Sequence, residues 1–373
     1  MHRAGKTPQT CGTGGAVKIA IVTIGNIYRL PYIDRYLAHV PQGADVDLIC
    51  WNREGRIEDK PGTNVRRFDF TIGETAPQKV IGYLKYRKYV KRILMSEDYD
   101  LVIVTPTQTA LLLADVLVRH YTHRYIVDIR DYCHENTGFV RRLEKSLTAN
   151  AAATVISSPG YRTFLPKGVS YCLVHNDRVL PQEKLEAVSH RDRDRRPLTI
   201  GFVGFVAYHE QHERLIKLFA NDTRFVLAFI GAGSAPLVDY CEQEGISNID
   251  IRGSFNPEDI LDIYEDIDII NGIYGDNCPE LDYALSNKLY FAGDLAMPIL
   301  VNQGTIMQEV SEQYGLGFAV DMSDLETPDK LYHYYNEIDW SNLSSGAREL
   351  MDRVREENIE FESVMDELIG HRY

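Results

Sequence analysis

Leu198-Thr199-Ile200-Gly201-Phe202-Val203-Gly204-Phe205-Val206 is an apolar run stopped by Gly204, and residues 210–219 after it carry the spacing of a helix. The same junction returns at Phe229-Ile230-Gly231-Ala232-Gly233-Ser234. A strand buried on both faces reads as a short continuous apolar run, and glycine at its end lets the chain turn tightly into a helix. Downstream, strand-like runs recur at 249–253, 267–273, 297–302 and 317–320. Upstream they stand at 17–24, 46–50, 101–105, 125–129 and 153–157, with helix-length stretches at 78–95, 107–119 and 138–149. Strand and helix in alternation predict parallel sheets wound on both faces, with ligands at the carboxyl ends of strands.

The alternation occurs twice, and 373 residues is about two domains' length. The charge-dense segment His190-Arg191-Asp192-Arg193-Asp194-Arg195-Arg196-Pro197 interrupts it. The expected organisation is a loose tail over 1–16, a first Rossmann-like domain over 17–190, a linker at 191–197, a second such domain over 198–343, and a long acidic helix over 344–373. Residues 197–373 carry 10 Lys and Arg against 33 Asp and Glu, which leaves 30 against 21 for residues 1–196. A basic half attracts anionic partners that an acidic half repels, unless the acidic helices serve solubility alone.

No run of about 18 apolar residues is present, and the N-terminal stretch lacks the apolar centre of a secretory signal, so a cytoplasmic location is expected. The six cysteines form no CxxC pair, which suggests neither a zinc site nor a disulfide framework. Gly231-Ala232-Gly233 is no dinucleotide fingerprint, because Pro236 stands where the third glycine belongs; a nicotinamide cofactor is disfavoured.

The free N–H groups at a helix start after Gly204 suit a diphosphate, although a glycine needed only for the turn accounts for the motif equally well. Lys288 is the sole Lys or Arg between 253 and 329. Buried in a cleft it could hold a phosphate; on the surface it would pair with Asp282 or Asp294.

The order Gly204, Gly231-Ala232-Gly233, Arg252-Gly253, Asp268-Ile269-Ile270, Asn287-Lys288-Leu289-Tyr290 and Pro298-Ile299-Leu300 resembles the donor domain of glycosyltransferase family 4. Ala152 to Gly160 and Val174-His175-Asn176 resemble the end of that family's first half, so residues 125–320 carry most of the likeness. It is similar to enzymes of bacterial capsule and exopolysaccharide assembly. The resemblance implies a GT-B-like fold, two Rossmann-like domains facing a central cleft. It implies sugar transfer from a nucleotide-sugar donor to a glycan or lipid-linked saccharide acceptor, with retention, no metal and no cofactor. Donor contacts are then expected from Gly25, Asn26, Gly204, Phe205, Gly231, Arg252, Gly253, Tyr274, Asn287, Lys288 and Tyr290. One departure is plain: Tyr283 and Phe291 stand where the family carries a pair of glutamates, the second of which contacts ribose. Either Asp282 or Asn287 takes over that contact, or turnover is lost.

Asp128-Ile129-Arg130-Asp131-Tyr132-Cys133-His134-Glu135 closes a predicted strand, where Asp131, and after it His134, could move a proton from an acceptor hydroxyl. The alternative is structural, with Asp128 or Asp131 holding Arg130. Residues 78–94 contain six Lys and Arg, three Tyr and no acidic residue. Lys85, Lys88 and Arg92 share one helical face beside a broken apolar stripe of Val80, Leu84, Val90 and Leu94. Such a helix suits the anionic inner face of a plasma membrane. A solvated face is the plain alternative, and nucleic acid is disfavoured by the acidic remainder. Two further functions fit the architecture: a nucleotide-sugar epimerase, active without acceptor, and a non-catalytic partner that binds donor and transfers nothing.

Overall fold

In the computed structural model, residues 17–73, 75–189 and 194–370 are described; the expected 1–16 tail and residues 191–193 of the expected linker lie outside them. Two parallel sheets organise the chain. The first runs β1 (Lys18–Thr23), β2 (Asp45–Asn52), β3 (Asn64–Asp69), β4 (Leu101–Thr105), β5 (Tyr125–Ile129), β6 (Ala153–Ile156) and β7 (Cys172–Leu173), in spatial order 3-2-1-4-5-6-7. The second runs β8 (Leu198–Val203), β9 (Phe225–Ile230), β10 (Ile249–Arg252), β11 (Ile269–Asn271), β12 (Ile299–Asn302) and β13 (Gly317–Val320), in order 10-9-8-11-12-13. In each sheet the order reverses beside the first strand, between β1 and β4 and between β8 and β11. A doubly wound sheet opens its ligand crevice at such a switch point. The chain divides into two compact units, 1–128 with 142–154 and 363–373, and 129–141 with 155–362.

The continuous apolar runs follow from burial on both faces. On one face of the second sheet Ile200, Phe202, Leu227 and Phe229 pack with Leu215, Phe219 and Leu237; on the other Val203, Ile270 and Ile299 pack with Leu289, Phe291 and Leu350. Each fully buried side chain of this size contributes about 1.5–3 kcal/mol relative to exposure. Gly201 is required inside β8 because a Cβ there would collide with Ile267. β3 escapes a reading by apolar runs: Asn-Val-Arg-Arg-Phe-Asp is an edge strand, half solvated and charged.

The basic helix is Ala76–Ser96, its start closed by Gln78 Oε1 accepting from Thr75 N at 3.2 Å. Its buried row is Gly82, Tyr86, Val90, Ile93 and Leu94. The expected stripe is therefore half corrected: Val90 and Leu94 face inward, while Val80 and Leu84 are exposed together with Ile81. The cause is Gly82, where a Cβ would come within 2.9 Å of Trp51, so this bare turn is the one that docks. Lys85, Lys88 and Arg92 are all exposed. Arg87 and Lys91 instead pair with Asp115 at 2.7 and 3.0 Å.

Candidate functional site

Within the second unit, the turns after β8 and β9 interlock. Gly204 N donates to Ile230 O at 2.9 Å, and Val206 N to Ala232 O at 2.8 Å. A Cβ on Gly231 would overlap Gly204 O, and one on Gly233 would overlap Val206 O, so both glycines are demanded by backbone approach as well as by their left-handed φ. The chain then enters the His209–Leu218 helix.

Across the switch point, Ser286 caps the Asn287–Leu295 helix, its Oγ accepting from Lys288 N at 3.3 Å. That cap starts the helix one residue before Lys288 and turns the side chain into the protein, where it is 2% exposed. Lys288 Nζ donates to Tyr274 Oη at 2.8 Å and lies 3.7 Å from the Phe202 ring centroid. It sits 3.7 Å from where a Gly204 Cβ would be. No carboxylate stands within ion-pair distance among the described residues, so pairing with Asp282 or Asp294 is ruled out. Aromatic faces offset only part of the cost of desolvating a cation, and an unpaired buried charge calls for an anion. His212, fully buried between Phe202 and Phe229, has its pKa pushed down to about 4 by burial, then by the charges of Lys288 and His209.

The loop carrying Tyr274 is fixed by Asn302 Oδ1, which accepts from Tyr274 N at 3.2 Å and Gly275 N at 3.0 Å. Tyr208 stands edge-on to Tyr274 with ring centroids 6.4 Å apart. Burial raises the Tyr208 phenol pKa, and the carboxylates of Glu280 and Asp131 add to the rise. Asp131 thus lies in electrostatic reach of Tyr208, which the structure brings to the Lys288 cluster. His134 is exposed, in a left-handed turn closed by Thr137 N donating to its carbonyl. Arg130 donates to Asn176 Oδ1 at 2.7 Å.

Several expected donor residues stand elsewhere. Arg252 ends β10 exposed and paired with Asp250 at 2.6 Å, facing an open groove with Arg195 and Asp266; Gly253 follows it in open space. Phe205 is exposed, and Asn287 lines a narrow crevice beside Asp177 and Asp294. Tyr290, two residues and therefore about 200° around the helix from Lys288, is buried with its hydroxyl 2.9 Å from His175 Nδ1. His175 Nε2 reaches Glu357 at 2.7 Å, and Arg353 holds that carboxylate in turn. Gly25 and Asn26 belong to the first unit. Asn26 is buried, donating to Asn52 and Glu58 and accepting from Arg53 N, so its side chain ties the loop together. Phe291 is buried against Tyr264 at 4.9 Å, and Tyr283 offers its carbonyl to Ser158 Oγ at 2.5 Å. Burial raises the pKa of Asp282, with Asp276 nearby. Sequence reading missed Tyr208 and His212, and quoted His175 within Val174-His175-Asn176 without a role; only a tyrosine inside a glycine-rich turn could have flagged the first.

No protein-family model and no curated protein matches the sequence. Solved structures do match. Sucrose-phosphate synthase from Thermosynechococcus elongatus superposes with a TM-score of 0.71 at 12% identity, over 95% of this chain and 99% of that one. The chain has the GT-B fold. HepE of Anabaena in complex with UDP and glucose matches at 0.63 with 14% identity, over 94% of this chain and 100% of that one. The lipopolysaccharide outer core galactosyltransferase WaaB matches at 0.63 with 12% identity, over 94% and 99%. No helix among the described residues is long and apolar enough to cross a membrane.

Proposed function

We propose that this protein is a glycosyltransferase that moves a sugar from a nucleotide-sugar donor to a glycan, with UDP the first nucleotide to try. The observation that carries the reading is Lys288, a buried ammonium with no carboxylate at ion-pair distance among the described residues, beside two interlocked glycine turns at the switch point of the second sheet. The residues fit a donor diphosphate: Lys288 faces one phosphate, and the N–H groups at the start of the His209–Leu218 helix face the other. In the reaction the bond from the anomeric carbon to the diphosphate oxygen breaks, and its electron pair leaves with the diphosphate. Lys288 gathers that charge, which makes its attraction greater in the transition state than in the ground state. The acceptor hydroxyl oxygen bonds the anomeric carbon, and Asp131 or a departing phosphate oxygen receives its proton. Retention, freedom from metal and a surface-polysaccharide product are carried by the resemblance to family 4.

The acceptor in this reading is lipid-linked. The exposed Val80, Ile81 and Leu84, continued by Lys85, Lys88 and Arg92, suit the cytoplasmic face of an anionic membrane. Phe291 favours one second reading, a donor-binding partner without turnover, because a core phenylalanine makes no ribose contact.

Thermal-shift screening against UDP-, GDP- and ADP-sugars tests the donor claim, since a ligand at 100 times its Kd stabilises the fold by about 2.7 kcal/mol. A shift with one nucleotide class is expected; a panel with none contradicts the proposal. Radiolabel transfer to lipid extract then separates the transferase from the non-catalytic partner, which shifts and transfers nothing.

A further inference from the structure

Tyr208 adopts the left-handed conformation, φ 57° and ψ 48°, immediately before the His209–Leu218 helix. A side chain in that region clashes with its own backbone, so it is the ordinary place for glycine. In the surrounding turns Gly204, Gly231, Gly233 and Gly275 take positive φ, and so does Asn277, a residue type that tolerates it. At 208 the chain must reverse into the helix, and Gln211 N and His212 N both donate to the carbonyl that this conformation presents. Glycine would do that without strain, yet the position holds a bulky aromatic.

Burial does not offset the strain, because Tyr208 is 47% exposed. Among the described residues its ring neighbour is Tyr274, which receives the Lys288 hydrogen bond. The carboxylates of Glu280 and Asp131 lie within electrostatic reach of its phenol. Carboxylates repel phosphate and accept hydrogen bonds from hydroxyls, so the space beyond Tyr208 favours a polyol over a diphosphate or a further anion. An exposed aromatic face supplies apolar area for the C–H side of a sugar ring, and its phenol adds a polar handle. Strained residues that the fold itself does not need are found where a ligand uses them.

We infer that Tyr208 is a specificity-determining contact for the sugar moiety of the donor, held in a strained conformation for that purpose. The inference rests on the donor-site reading above. Calorimetric titration of the full chain with UDP and with UDP-glucose, together with thermal melting, tests it in Tyr208→Gly and Tyr208→Asn, since asparagine also tolerates the left-handed region. Both variants are expected to melt at or above the wild-type temperature. They are expected to lose about fivefold or more in affinity for UDP-glucose and to keep wild-type affinity for UDP. Unchanged UDP-glucose affinity overturns the inference, and so does an equal loss for UDP and UDP-glucose. A lowered melting temperature in both variants overturns it as well, by showing that the tyrosine serves the fold. Should the wild type bind neither ligand, the UDP-donor reading fails and this inference falls with it; failure in the variants alone leaves that reading intact.

Discussion

A buried charge or a buried neutral base leaves a thermodynamic signature that a surface residue does not. His212 has a folded pKa near 4 against an ordinary value of 6.5, so between those values the unfolded chain binds the additional proton. Stability should therefore fall as pH drops from 6.5 towards 4, by about 3 kcal/mol in total from this one group. Denaturant melts at pH 7 and pH 4.5 check this: His212→Phe should shrink the loss, and an identical loss would show that burial does not hold the imidazole neutral. Asp131→Asn keeps shape and removes the carboxylate proposed above as one of two proton acceptors. It should lower kcat for transfer by about 10²-fold with donor affinity spared; full activity would remove Asp131 from the chemistry.

Helices deliver these residues, and their faces are set by single positions. Tyr290 pins the back of the Asn287–Leu295 helix through His175 and Glu357, a buried hydrogen bond followed by a part-buried one. Tyr290→Phe should cost about 1–3 kcal/mol in unfolding free energy, because a buried imidazole nitrogen is left without its partner. A neutral effect by urea denaturation would deny that link. The Ala76–Ser96 helix carries its prediction on the opposite, open face. Replacing Lys85, Lys88 and Arg92 by glutamine should weaken sedimentation with phosphatidylglycerol vesicles by about 1 kcal/mol per residue, while unchanged sedimentation would leave that helix a solvated face. The helix itself was legible from its basic run, but which row docks was not. Gly82, silent in any apolar count, sets the docked face because Trp51 needs the room. In the same way the apolar strands 101–105, 125–129 and 198–203 announced themselves, whereas β3 did not, since an edge strand has no second buried face to demand apolar residues.

For the molecule, pattern alone carried the doubly wound architecture twice over, and the order of glycine turns, Lys288 and Pro298 carried the resemblance to a GT-B donor domain. The isolation of Lys288 in sequence went with its burial, with no carboxylate at ion-pair distance among the described residues. What no spacing could convey is where side chains go once hydrogen bonds compete for them. Arg252 is taken by Asp250, Asn26 by its own loop, and Tyr290 by His175. Residues 1–196 carry 30 basic residues against 21 acidic ones and residues 197–373 carry 10 against 33, an asymmetry that composition shows and no spacing of apolar residues could.

Calorimetry of Lys288→Ala beside the wild type, titrated with the nucleotide sugar that shifts the melting temperature most, bears on the central claim most directly. Loss of a charge-assisted phosphate contact predicts affinity lower by roughly 30-fold or more, with far-ultraviolet circular dichroism unchanged. Equal affinity in the two proteins would mean that the diphosphate is not held by this lysine, and the donor site would have to be sought elsewhere.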